Sequence, residues 1–151
     1  MKNDEFRSII DFAVENEVEA YEFYRDAALK IKDEHLKKVF EDLAKEELEH
    51  KSFLTEFLAS DVEEIKLDKF KDYKVSETID KPKLSIEMNF AEAIALAIKN
   101  EEEAMFMYSN LAEACLDKSQ MDLFLGLMKM EQLHKVKLEK IYLEVAYAEV
   151  W

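Results

Sequence analysis

One cysteine, one glycine, one proline and one tryptophan stand among 151 residues. A lone thiol excludes an intrachain disulfide, a cysteine-based zinc site and an iron–sulfur cluster held by one chain. Cys115 itself reads as a small residue packed on a helix. With one Gly and one Pro the chain has little material for hairpins, and its abundance of Glu, Lys, Leu and Ala is that of long helices. No stretch approaches the ~18 consecutive apolar residues of a membrane span. Met1-Lys2-Asn3-Asp4-Glu5 carries no secretory signal, so a cytoplasmic location is expected. Basic residues are scarce as well: 21 Lys and Arg against 35 Asp and Glu give a net charge of −14. That balance argues against nucleic acid or an anionic membrane surface as a partner, and foremost it describes a well-solvated surface. The expectation is an all-α protein folded as one domain over residues 1–151, long enough to bury a substantial core.

Within that composition the apolar periodicity predicts four helices. Asn3 or Asp4 caps a first helix to about Lys32, with the stripe Phe6, Ile10, Ala13, Glu17, Ala20, Tyr24, Ala28 and Ile31. Asp33 caps a second, with Leu36, Phe40, Leu43, Glu47, His50, Leu54 and Phe57 inward and His35 outside the stripe. From about residue 60 to 88 the periodicity breaks. A loop of that length needs a reason, and a crossover running the length of a four-helix bundle supplies one. The predicted helical pairs thus span about 4–59 and 89–145. Asn89-x-x-Glu92 is a capping-box pattern for the third helix, whose stripe is Phe90, Ile94, Ala97, Glu101, Ala104, Tyr108, Leu111 and Cys115. Asp117 opens the fourth, with Phe124, Leu127, Glu131, His134, Leu138 and Ile141 inward. The terminal Val145, Tyr147, Val150 and Trp151 extend the apolar stripe and are expected to pack on another chain or cover the end of the bundle.

The two helical pairs are one pattern written twice. A shift of 84 residues aligns Ile10 with Ile94, Glu17 with Glu101, Tyr24 with Tyr108, Phe40 with Phe124, Glu47 with Glu131 and His50 with His134, without a gap. In so Glu-rich a chain a single Glu-x-x-His means little; the shared register means more. A carboxylate or imidazole inside an apolar stripe is costly to bury unless something pairs it. Four inward Glu and two inward His make a six-ligand cage that two metal ions would satisfy. Glu47 and Glu131 can bridge both ions, Glu17 and Glu101 can each close off one, and His50 and His134 supply one nitrogen apiece. Oxygen and imidazole donors without thiolate suit iron or manganese, and zinc could occupy the site if it is the ion available. Tyr24 and Tyr108, two turns beyond the terminal glutamates, are placed either to hold those carboxylates from behind or simply to fill the bundle.

The strings AVENEVEAYEFY, FEDLAKEELEHKSFL, AIKNEEEAMFMY and MEQLHKVKL resemble the rubrerythrin-like branch of the ferritin-like di-iron superfamily over both helical pairs. The resemblance implies a ferritin-like four-helix bundle, internally duplicated, with two iron ions per chain on the six residues named. Rubrerythrins reduce hydrogen peroxide, and relatives oxidise ferrous iron or activate dioxygen. Full rubrerythrins also carry a rubredoxin domain with two cysteine pairs, which this sequence lacks. They have a further carboxylate three residues after the third-helix ligand, a position held here by Ala104, with Glu103 adjacent. The leading expectation is a di-iron redox protein that reduces peroxide or dioxygen, takes electrons from a separate donor protein and forms a homodimer. The alternative is a ferritin-type iron-storage protein with ferroxidase activity.

Overall fold

Four long helices account for nearly all of the computed structural model, which describes residues 2–59, 86–145 and 150, with side chains from Arg7 onward. They are α1 (Lys2–Lys30), α2 (Glu34–Ala59), α3 (Phe90–Ala114) and α4 (Lys118–Val145), and there is no strand among the described residues. None of the described helices is long and apolar enough to cross a membrane. The crossover predicted at 60–88 falls mostly outside the described residues, as do Tyr147, Trp151 and the side chain of Phe6.

The helix boundaries follow local chemistry. Asp33 Oδ1 accepts a hydrogen bond from the Leu36 amide at 2.8 Å, which satisfies one of the orphan donors at the start of α2. That turn stops α1 at Lys30, two residues short of the predicted end, with the Ile31 amide still closing on the Ala27 carbonyl at 2.9 Å. Asn89, extended at φ −67° and ψ 158°, caps α3 through the Glu92 amide at 2.8 Å. Asp117 Oδ1 accepts from the amides of Ser119 at 2.6 Å and Gln120 at 3.3 Å as α4 begins. At the other end of α2, the Arg7 guanidinium donates to the Leu58 carbonyl at 3.3 Å, a cation placed on the negative end of the helix dipole.

α1 packs most closely on α2, and α3 on α4. The apolar interior forms two clusters. One gathers the later part of α1 (Phe23, Tyr24, Ala28) and the following Ile31, the early parts of α2 and α3 (Phe40, Leu43, Phe90, Ile94) and the later part of α4 (Leu138, Ile141). The other gathers the early part of α1 (Ile10, Ala13), the ends of α2 and α3 (Leu54, Phe57, Tyr108, Leu111) and the early part of α4 (Phe124, Leu127). Hence α1 and α4 run one way and α2 and α3 the other. α2 ends beside the second cluster, whereas α3 begins beside the first.

Every predicted inward position of α4 is buried, and in α2 only Leu36 is half-exposed. Ala20, Ala104 and Cys115 are half-buried rather than buried. The buried face is wider than a single stripe and takes in Phe23, Ala27, Ala44, Met107 and Ala112 as well. Val145 and Val150 pack against the first cluster, so the described part of the tail covers this chain's own bundle end. The duplication also reaches the aromatic contacts. Tyr24 meets Phe40 edge-on at 5.8 Å between ring centroids, and the repeat-related Tyr108 stacks on Phe124 at 6.4 Å.

Candidate metal centre

Between the two apolar clusters lies a layer of six polar side chains. Glu17, Glu47, His50, Glu101, Glu131 and His134 are each 0–3% exposed. Two of the helices, α2 and α4, each give a Glu and a His three apart, which the helical turn points in one direction. α1 and α3 give one Glu each. The structure brings together all six residues that the stripes placed inward.

Their ligand atoms fall into two overlapping groups, each within 4.8 Å. One contains Glu17, Glu47, His50 and Glu131; the other contains Glu47, Glu101, Glu131 and His134. Glu47 and Glu131 belong to both, as bridging carboxylates must, while Glu17 and Glu101 belong to one each. The contacts obey the repeat. His50 Nδ1 is 2.7 Å from Glu131 Oε1, and His134 Nδ1 is 2.8 Å from Glu47 Oε1. The same nitrogens lie 3.4 Å from Glu17 Oε2 and 3.6 Å from Glu101 Oε2. The two imidazoles stack at 5.6 Å between centroids with 16° between planes.

Close approach here does not amount to pairing. Glu17 Oε2, Glu47 Oε1, Glu101 Oε2, Glu131 Oε1 and the Nδ1 atoms of both histidines are buried without a hydrogen bond. These atoms converge on shared points instead of pointing at one another. Buried oxygens and nitrogens are rarely left so, and an ion that accepts lone pairs from all of them is the partner that fits. Charge agrees: four carboxylates carry four negative charges, which two divalent cations neutralise.

Without such an ion, protons must relieve the repulsion. Burial first, then the negative charges of neighbouring glutamates, pushes Glu47 and Glu131 well above the ordinary carboxylate range. Glu101 goes the other way. Burial raises it, but contacts with Glu131 and His134 and the hydrogen bond from Tyr24 favour its charged form and win. Burial lowers His134, and contacts with Glu101 and Glu46 outweigh it, so the imidazole is held above its ordinary value.

The tyrosines meet this layer from opposite sides, and they cross. Tyr24 donates to Glu101 Oε1 at 2.6 Å, and Tyr108 donates to Glu17 Oε1. Each hydroxyl therefore holds the terminal glutamate of the other half. Burial raises both phenols well above their ordinary value, and the carboxylate each one holds raises it further, so both stay protonated donors. α3 runs as an unbroken α-helix through Glu101–Tyr108, so no bulge turns Glu103 inward, and Glu103 is in neither ligand group. Cys115, outside the layer, is a half-buried thiol pushed up to about 11 by burial and by Asp117.

One contributor was not foreseen from sequence. Glu46 Oε2 lies 2.6 Å from His134 Nε2, on the far side of the imidazole from the carboxylates. Glu46 is off the apolar stripe and does not recur in the second half, so neither periodicity nor the repeat marks it.

The family model described as Rubrerythrin matches residues 8–142. No curated protein matches the chain. Two solved structures share the fold. A hypothetical protein from Pyrococcus furiosus is 23% identical with a TM-score of 0.68, the match covering 95% of this chain and 91% of that one. A Thermotoga maritima protein, described as a ferritin-like diiron-carboxylate protein, is 19% identical with a TM-score of 0.70, over 95% and 96% of the two chains.

Proposed function

The chain belongs to the rubrerythrin family, and we propose that its buried layer holds two iron ions and serves to reduce hydrogen peroxide or dioxygen. Glu17 and His50 would hold one ion, Glu101 and His134 the other, with Glu47 and Glu131 shared. The observation that carries this reading is the set of six converging, buried and unpaired ligand atoms. When bound, a ferrous pair supplies the two electrons that one peroxide requires.

The chain's own residues set the conditions. The apolar clusters above and below keep bulk water from the layer, so the carboxylates act at full strength in a low-dielectric interior. Tyr24 and Tyr108 fix Glu101 and Glu17 from behind, leaving one oxygen of each carboxylate aimed inward. Glu47 and Glu131, held well above the ordinary carboxylate range without metal, bind protons more readily there than in water, and cations displace those protons.

The one cysteine of these 151 residues cannot furnish the two cysteine pairs of a rubredoxin-type centre. In this reading a separate small redox protein supplies the electrons for the next turnover, and the chain acts as a homodimer and not as a cage. The test is ferrous oxidation by peroxide or oxygen at a large excess of iron, with size-exclusion of the loaded protein. A burst of about two irons per chain that stops and then resumes with a rubredoxin-type donor and its reductase is expected. Continued oxidation of ferrous iron alone, with ferric product retained in a soluble cage, would overturn the redox reading in favour of storage. A burst that no donor renews would leave a metal-stabilised scaffold.

A further inference from the structure

The internal repeat is nearly complete in the metal layer, and it fails at one place. Shifting by 84 carries Glu17, Tyr24, Glu47 and His50 onto Glu101, Tyr108, Glu131 and His134, but it carries Glu46 onto Met130. The consequence falls on the two imidazoles. His134 Nε2 lies 2.6 Å from the Glu46 carboxylate, whereas His50 Nε2 is buried and has no hydrogen-bond partner.

We propose that Glu46 is a positioning residue that makes the two halves of the centre unequal, so that the ion held by His134 and Glu101 binds more tightly and enters first. This inference rests on the two-metal reading above.

An imidazole offers a metal ion one lone pair, and the proton must sit on its other nitrogen. At His134 the Glu46 carboxylate can accept a hydrogen bond only from Nε2–H, which leaves the Nδ1 lone pair facing Glu47 Oε1 at 2.8 Å. In the neutral ring the tautomer and the tilt are thus set before any ion ligates it. At His50 nothing holds the proton on Nε2. The nearest acceptor is Glu131 Oε1, 2.7 Å from Nδ1, and a proton drawn there blocks the atom that must ligate. An incoming ion has to move that proton and then hold the ring without help from behind. A thioether at Met130 is at best a weak acceptor and supplies no substitute. The Glu46 side chain keeps 27% of its surface, so its charge is part-solvated and its burial is not prohibitive. Removal of such a partner from a metal-binding histidine typically weakens the site about 10–100-fold, and that is the gap expected between the two positions.

Cobalt(II) is the probe, titrated into metal-free full-length protein and followed by its visible absorption and by calorimetry. The wild type should take up two ions in two steps separated by about 10–100-fold. His50→Ala should keep the tighter step and His134→Ala should lose it. Glu46→Met should weaken the tight step until the two merge, while Glu46→Gln, whose amide oxygen still accepts from Nε2–H, should fall between. The exchange Glu46→Met with Met130→Glu should restore two steps and pass the tight one to His50, so that His50→Ala now abolishes it. A merely structural contact would not move in this way. Two equal steps in the wild type, or Glu46→Met leaving the steps unchanged in protein that takes up two ions, overturns the inference alone. Failure of the wild type to take up two ions overturns the two-metal reading itself.

Discussion

The crossed tyrosines give the sharpest test of the geometry. Tyr24 is 1% exposed, and its hydroxyl spends its hydrogen bond on Glu101, 77 residues away, rather than on Glu17 of its own helix. Tyr24→Phe keeps the ring and deletes only the donor. A hydrogen bond to a charged acceptor contributes about 1.5–3 kcal/mol. For a domain of this size that corresponds to a loss of about 3–12 °C in Tm. The sign of Glu101→Ala taken alone is less informative, because removing one of four buried carboxylates also relieves repulsion and can raise stability in the metal-free state. A double-mutant cycle cancels that contribution. Urea unfolding of metal-free protein should give a Tyr24–Glu101 coupling of about 1–3 kcal/mol and a Tyr24–Glu17 coupling smaller by at least about 1 kcal/mol. Tyr108 should show the reverse preference, with Glu17 as its partner. Tyr24 coupling to Glu17 as strongly as to Glu101, with m-values unchanged, would refute the crossed arrangement.

Three other outcomes follow from the same structure. In metal-free protein Glu47 and Glu131 hold protons above the ordinary 4.5, so above that pH the folded state binds more protons than the unfolded; stability must fall as pH rises through that window. His134, raised above 6.5, extends the fall upward, while the lowered Glu101 acts only below 4.5. Tm should therefore drop as pH rises above about 4.5 without metal and flatten when cobalt is added; a flat metal-free profile would contradict the assignment. Glu47→Ala should lose both ions and Glu17→Ala mainly one, as read by metal analysis after dialysis; wild-type content in Glu47→Ala would remove Glu47 from the bridging position. Gly126 sits exposed within α4, and an added Cβ there meets nothing within 4 Å. Gly126→Ala should thus stabilise by about 0.5–1 kcal/mol in a thermal melt, and a destabilised variant would mean the helix is not regular there.

Much of this arrangement was legible in the sequence because it is periodic. The stripe through Leu43, Glu47, His50 and Leu54 needs only 3.6 residues per turn to place its polar members between apolar ones, and the 84-residue register repeats it through Leu127, Glu131, His134 and Leu138. Flanking residues such as Phe23, Ala44 and Met107 escaped a one-stripe reading because four-helix packing buries a broader arc. The crossing of Tyr24 and Tyr108 was not legible either. Helical spacing sets which face a hydroxyl shares, whereas the antiparallel packing of α1 against the α3 direction decides which carboxylate it reaches. Glu46 was hidden for the opposite reason. It is a flank residue whose importance lies in breaking the repeat, and a search for recurrence passes over what does not recur.

The cost of the polar layer argues for its use. Four carboxylates and two imidazoles interrupt a core built mainly of Ile, Leu, Phe and Ala on both sides. A bundle maintained only for its shape would gain stability from apolar residues of similar volume at those six positions, since buried charges seldom recover their desolvation from one another. Here they recover even less, because their facing atoms are unpaired and two of the glutamates resort to protons. Divalent cations change the sign of that balance: the same atoms become ligands, the four charges are neutralised, and binding to the folded state alone shifts the folding equilibrium toward it. The layer is thus a liability to the empty chain and an asset to the loaded one, which ties the stability of this bundle to the ions it holds.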